Sequence, residues 1–132
     1  MTKPDRFLLA GVMGWPVMHS RSPKLHGYWI RQHGLDAEYR IEEIPPEGFE
    51  AFVTHLADHG YVGGNVTMPH KDAAFALSRP DARAQAVGAA NTLWLEGGEL
   101  RSTNTDVEGF INALDAAAPG WDRRNDRAVV LG

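Results

Sequence analysis

The sequence predicts an α/β fold: a mostly parallel sheet flanked by helices on both faces, with one β-hairpin. Three observations carry that prediction. Phe7–Met13 is an unbroken apolar run, as expected of a strand buried on both faces. Beyond it, strand-like segments alternate with stretches whose apolar residues recur at helical spacing, the βαβα order of a sheet covered by helices. Gly97-Gly98, set between two strand-like segments, is a two-residue hairpin signal.

After the first strand, Gly14-Trp15-Pro16 turns the chain. Ser22-Pro23 reads as a helix start, a hydroxyl cap followed by proline at the first helical position. Leu25, Tyr28 and Trp29 share one face of this helix, and Gly34 stops it. Ala37–Ile44 alternates with Tyr39, Ile41 and Ile44 inward, a second strand broken by Pro45-Pro46. Phe49, Phe52, Val53 and Leu56 form the stripe of a second helix, closed by Gly60. Tyr61–Val66 is a short third strand, loosened by Gly63-Gly64. Pro69 opens a helix to about Leu77, and Asp81 starts another that ends near Gly88. Asn91–Leu95 and Glu99–Ser102 are the hairpin strands. Thr105 and Glu108 form a capping-box pair at the head of a helix running to roughly Ala117. Pro119-Gly120 ends it, and a charged loop through Asp126 leads to Ala128–Leu131, which reads as a buried strand before Gly132.

Composition narrows the function classes. A chain of 132 residues supports one domain with an adequate core, or one domain plus a fragment of another. The net charge of −4 argues against a general nucleic-acid binder, whose basic stripe would dominate. With no cysteine, disulfides and thiolate chemistry are excluded, and a reducing cytoplasm is the natural setting. Phe7–Trp15 behind Lys3 and Arg6 superficially resembles a signal peptide, but Gly11 and Gly14 interrupt it and no small-residue cleavage site follows. No stretch is long enough to span a membrane.

Two polar clusters carry the chemistry: Asn65-Val66-Thr67-Met68-Pro69-His70-Lys71 and Asn104-Thr105-Asp106. Each falls where a strand gives way to a helix, the usual place for a site in an α/β sheet. Lys71 next to the opposite charge of Asp106 would form a pair able to pass a proton. A lysine alone is ordinarily a surface residue, and an acid in a first helical turn ordinarily serves the dipole. Ser20 and Ser22 offer two hydroxyls at a helix start as a carboxylate clamp, although Ser22 is also explained as a cap. Asn65, Thr67 and Asn91 supply the neutral donors and acceptors that a polyhydroxylated ligand requires, or hold turns together.

Metal binding is not expected from the six histidines. His55 and His59 lie four apart, but no acid follows His55 as a zinc protease motif requires. His19, His26 and His33 recur every seven residues, a helical separation of roughly 10 Å that is too long to share an ion. Val129-Val130-Leu131-Gly132 is only a fragment of a nucleotide-loop signal, because the later glycines of Gly-x-Gly-x-x-Gly are not there.

Taken in order, the motifs resemble those of the shikimate dehydrogenase family. Gly14-Trp15-Pro16-Val17-Met18-His19-Ser20-Arg21-Ser22-Pro23 is similar to the family's opening Gly-x-Pro-x-x-His-Ser-x-Ser-Pro. Gly64 to Lys71 resembles its Asn-Val-Thr-x-Pro-x-Lys, Gly88-Ala89-Ala90-Asn91-Thr92 its Gly-Ala-x-Asn-Thr, and Asn104-Thr105-Asp106 its Asn-Thr-Asp. The four spread over nearly the whole chain. The sequence departs from the pattern at Ser102 and Val107, where many members carry glycine, and at Gly27, where asparagine is common. The acid often found before Gly-Ala-x-Asn-Thr falls at Ala82, with Asp81 beside it.

The resemblance implies NADP-dependent reduction of 3-dehydroshikimate to shikimate, a cytoplasmic step of aromatic amino-acid and chorismate biosynthesis. It implies that Lys71 and Asp106 are the catalytic pair and that Ser20 and Ser22 hold the substrate carboxylate. Asn65, Thr67, Asn91 and Asp106, with Lys71, would hold the ring hydroxyls. The implied partner is this small acid, with no nucleic acid, membrane or metal, and a homodimer is an expectation for the full-length enzyme. Residues 1–104 would be the substrate-binding catalytic domain, of the family's α/β type. Residues 105–132 would be an interdomain helix and the first strand of a Rossmann-like NADP module, cut at Gly132, its first cofactor-binding glycine. Such a piece is expected to bind shikimate weakly without reducing NADP. Two alternatives remain: a dehydrogenase accepting quinate as well, although Ser20-x-Ser22 resembles shikimate-preferring members, and a non-catalytic shikimate-binding module.

Overall fold

The apolar run near the start becomes an inner strand on which the others assemble. The computed structural model describes residues 6–124 and 127–131. In chain order the elements are β1 (Leu8–Gly14), α1 (Ser22–Gln32), β2 (Ala37–Glu43), α2 (Pro46–Thr54), β3 (Gly63–Val66), α3 (Lys71–Ala76), β4 (Arg79–Pro80), α4 (Ala82–Val87), β5 (Thr92–Glu96), β6 (Glu99–Thr103) and α5 (Asp106–Ala117). The strands form one sheet in the order β2-β1-β3-β5-β6-β4. β1 pairs in parallel with β2 and β3, and β4 pairs in parallel with β6. β5 is antiparallel to both of its neighbours, so it alone runs against the rest. This is the predicted mixed α/β sheet, mostly parallel with one hairpin.

Register separates the two faces. Ala10 lies opposite Tyr39, and Val12 lies opposite both Ile41 and Asn65. Alternation then sends Leu9 and Met13 to the other face. There they join Phe49 and Val53 of α2, Ala74 of α3 and Ala84 of α4, with Val66 and Leu93, in the main core. On the Tyr39 face, His26 of α1 stacks on the tyrosine ring with centroids 4.0 Å apart. Helices therefore cover both faces.

Two glycine sites are imposed by sterics. A Cβ on Gly64 would lie 2.5 Å from the Gly11 carbonyl oxygen, so β3 and β1 approach as they do only without a side chain there. The pair read as loosening the strand is what lets it pack. Gly97 and Gly98 have φ of 57° and 81°, the double left-handed turn expected of the hairpin.

Several predicted details are corrected. α2 stops at Thr54 rather than running toward Gly60, because the Thr54 hydroxyl bonds back to the Glu50 carbonyl and His55 takes the cap position. Leu25, Tyr28 and Trp29 share a face of α1 but are exposed, with Trp29 meeting the His26 ring of the same helix edge-on. The two-residue β4 was not predicted; it is too short to show a period. Ala128–Leu131, expected to open a further module, pairs with no strand among the described residues. Val129, Val130 and Leu131 are exposed, because an apolar run becomes a strand only where a ladder partner and a cover exist.

α4 forms as predicted, with Asp81 as its cap accepting from the Ala84 amide at 3.0 Å and left-handed Gly88 at its end. That amide, foremost, holds the Asp81 carboxyl below its usual pKa. A depressed carboxylate stabilises the fold above its unfolded pKa and loses that contribution as pH falls through the folded value. Asp81→Ala should cost about 1 kcal/mol at pH 7 in urea unfolding. The difference from wild type should shrink below about pH 4, while Asp81→Asn stays close to wild type. Equal stability of Asp81→Ala and wild type at neutral pH would remove the cap from the account.

Candidate active site

The Thr67–Lys71 segment leaves the end of β3 and is held before the helix begins. Thr67 donates its amide to the Met13 carbonyl, and His70 donates its own to the Thr67 carbonyl. The His70 ring is buried and stacked on Phe49, with centroids 4.2 Å apart and planes within 8°. Its Nε2 lies 2.6 Å from the Ile44 carbonyl oxygen, which only accepts, so Nε2 carries the hydrogen. With the preceding residue clamped, Lys71 at the head of α3 projects into the cleft.

Asp106 is brought from the opposite side by Asn104. The buried Asn104 amide accepts from the Asp106 N–H at 2.9 Å and donates to the Ala89 carbonyl at 3.0 Å. This replaces the predicted capping box. Thr105 has φ −107° and ψ −2° and makes no side-chain cap bond, whereas a capping side chain needs extended dihedrals. Its hydroxyl oxygen instead accepts from Asn91 Nδ2 at 2.9 Å, and Glu108 pairs with Arg83 at 3.0 Å. The Ser22 cap is corrected too. Arg21 occupies the cap position, and the Ser20 hydroxyl oxygen accepts from the Ser22 amide at 3.2 Å.

Lys71 Nζ and Asp106 Oδ2 meet at 2.6 Å, although 35 residues separate them in sequence. Their side chains are 35% and 50% exposed, and a pair this open contributes only about 0–1 kcal/mol to stability. Stability is therefore not what the pair is built for. Asp106 Oδ1 accepts from Asn91 Nδ2 at 3.1 Å, and Asn91 Oδ1 accepts from the Thr105 amide at 3.1 Å. Thr92 donates its hydroxyl to the same Asn91 oxygen at 3.0 Å, and Asn65 Nδ2 donates to Thr92 Oγ1 at 3.3 Å. Tyr39 closes the row by donating to Asn65 Oδ1 at 2.8 Å.

Of these groups, Lys71, Asp106, Asn91 and Asn65 line one cavity of about 270 Å³. Ser20, Ser22, Asn65, Thr67, Lys71, Asn91 and Asp106, each singled out from the sequence, all border it, over a floor of Val12 and Val17. His19 also borders it and was not among them. A cavity of about 240 Å³ beside Arg6, Phe7, Tyr61 and Leu95 gathers no comparable set of paired donors and acids. Gly132, the suggested cofactor contact, lies outside the described residues. Tyr39, Thr92, Asn104 and His70 were missed as supports. His70, Thr92 and Asn104 each lie inside a motif the sequence offered, whereas Tyr39 lies in none. Among the described residues, no three or more metal-ligating side chains come together.

Residues 12–93 match the family described as shikimate dehydrogenase substrate binding domain. The chain belongs to that family. It is 63% identical, over all of its own length, to the shikimate dehydrogenase (NADP(+)) of Nitrobacter winogradskyi, of which it covers 47%. The crystal structure of shikimate dehydrogenase from Aquifex aeolicus superposes with a TM-score of 0.82 at 34% identity, covering 89% of this chain and 45% of that one. That of the Thermus thermophilus enzyme in complex with shikimate gives 0.75 at 35% identity, covering 83% and 42%. The chain thus spans about half the length of the shikimate dehydrogenases it matches.

The Asn104 brace makes a prediction. Asn104→Ala leaves the Ala89 carbonyl and the Asp106 amide without partners, and should cost about 1–3 kcal/mol in urea unfolding. An unchanged midpoint would show that α5 needs no side chain at its head.

Proposed function

We propose that this chain is the substrate-binding part of an NADP-dependent shikimate dehydrogenase, interconverting 3-dehydroshikimate and shikimate. The observation that carries the reading is the Lys71–Asp106 pair, 2.6 Å apart on a cavity also bordered by two serines and two asparagines. The cavity has room for one small ring acid. Relatives that match it over nearly all of its length bear that activity in their names. Residues 1–104 are then the substrate-binding domain, and 105–132 carry the connecting helix and the beginning of the cofactor module. α5 belongs functionally to both, because its first residue reaches the cavity. A cytoplasmic setting and a homodimer for the complete enzyme complete the reading. The chain has no cysteine, and no helix among the described residues is long and apolar enough to cross a membrane.

Each polar group has a part to play. The Ser20 hydroxyl uses its oxygen to hold the Ser22 amide, so its hydrogen is free to meet a carboxylate, with Ser22 beside it. Asn65, Thr67 and Asn91 meet ring hydroxyls. In the reductive direction negative charge grows on the ketone oxygen, and the Lys71 ammonium stabilises it and delivers a proton there. Asp106 holds Nζ with one oxygen while Asn91 holds the other, which fixes the direction of approach. The pair shares the proton as a unit. NADP, seated on the cofactor module, would supply the hydride to the ketone carbon in reduction and accept it in the reverse direction.

Titrating shikimate into the chain while following amide resonances should shift signals of Asn65, Thr67, Asn91 and the Ser20–Ser22 turn. Ser20→Ala should weaken binding of shikimate more than binding of its uncharged methyl ester. No shifts at millimolar shikimate would remove the substrate assignment. In a complete enzyme carrying these residues, Lys71→Ala should lower kcat by about 100- to 10,000-fold with a smaller change in KM. Near-normal turnover would take Lys71 out of the proton step.

A further inference from the structure

Tyr39 does not border the cavity, yet it ends the row of hydrogen bonds that leads to Asp106. Its ring is held against His26, with planes 6° apart. His26 Nδ1 in turn lies 3.0 Å from the Ser22 carbonyl, an acceptor, so that nitrogen carries the hydrogen. The tyrosine is therefore braced from the serine side of the cleft and reaches the asparagine side.

The direction of every bond in the row follows from its far end. A backbone amide only donates, so the Thr105 N–H assigns the atom it meets on Asn91 as the oxygen. Asn91 must then turn its NH2 to Asp106. The Thr92 hydroxyl places its single hydrogen on the same Asn91 oxygen and is left with lone pairs toward Asn65. Asn65 answers with its NH2, which points its oxygen at Tyr39, and the phenol must donate. Burial pushes the phenol up to about 12, so it keeps that hydrogen through the neutral range.

We propose that Tyr39 is a positioning residue for the cleft: by donating to the Asn65 oxygen, its hydroxyl holds in place the amide that Thr92 has already oriented, so that donors run one way, from Tyr39 through Asn65, Thr92 and Asn91 to the Asp106 carboxylate. The Asn65 NH2, whose bonds to Thr92 Oγ1 at 3.3 Å and to the Asn91 carbonyl at 3.5 Å are both long, is then the side of the amide that an incoming ligand would meet, and so selects an acceptor oxygen at that position. An amide free to rotate would offer either. The inference rests on the reading of the cavity as a shikimate site, and the experiment separates the two.

Tyr39→Phe removes one oxygen and keeps the stacked ring. The variant should keep the thermal midpoint of wild type within a few degrees. Its dissociation constant for shikimate should rise about tenfold, the size of one lost hydrogen bond. Without ligand, the two side-chain amide signals of Asn65, sharp and distinct in wild type, should broaden or exchange faster with solvent. Tyr39→Phe combined with Asn65→Ala should bind no worse than Asn65→Ala alone, because the tyrosine acts through that amide. Affinity within twofold of wild type with unchanged Asn65 signals overturns the inference. So does a Tyr39→Phe penalty that persists in full on the Asn65→Ala background, and so does unfolding of Tyr39→Phe, which would make the hydroxyl a support of the fold. If wild type itself does not bind shikimate, the functional reading fails, and the ligand-free Asn65 signals still decide the role of Tyr39.

Discussion

The Asn91 side chain is the joint on which the site depends. It follows a buried alanine at the entry to the one reversed strand, and its carboxamide serves two elements at once. Its oxygen takes the Thr105 amide and the Thr92 hydroxyl, while its nitrogen takes the Thr105 hydroxyl and the Asp106 carboxylate. A primary amide is the one neutral side-chain group that offers two donors and two lone pairs in a fixed plane. A carboxylate there would face Asp106 with a like charge, and a hydroxyl would not reach both partners. The helix that bears Asp106 is thus tied to the sheet by directed bonds, with the buried Asn104 as a brace at the same end.

This explains how an exposed ion pair is kept in one geometry. The Lys71–Asp106 contact is too open to organise the fold, and its partners arrive from segments with separate supports. On one side the His70 ring is locked between Phe49 and the Ile44 carbonyl. On the other, Asn104 and Asn91 hold the helix head. The rigidity lies behind the charged groups, in buried aromatic and amide contacts, and the charges themselves stay accessible to a ligand. That division suits a site whose charges must meet something from solution.

Much of the fold was legible because it rests on local rules. The apolar run of β1, the proline break after β2, the Asp81 and Gly88 ends of α4 and the double-glycine hairpin each act within a few residues, and each was found where expected. Signals that depend on distant company were misread. Thr105 and Glu108 have the letters of a capping box, but Asn91 claims the threonine and Arg83 the glutamate. Leu25, Tyr28 and Trp29 have helical spacing, yet spacing cannot say what lies against them. Val129–Leu131 is apolar enough for a strand and pairs with nothing among the described residues.

The sequence by itself determined the element order, the family and the set of polar side chains available to the cavity, because each of these is written in short contiguous motifs. Only the tertiary structure decided that those side chains share one cavity, with Lys71 and Asp106 in contact, since that follows from sheet register and from where two helices start. It alone revealed Tyr39, Thr92 and Asn104 as the framework behind the site. No spacing rule links a tyrosine on β2 to an asparagine on β3. What brings them together is one strand, β1, running between them with Ala10, a residue small enough to lie opposite the ring.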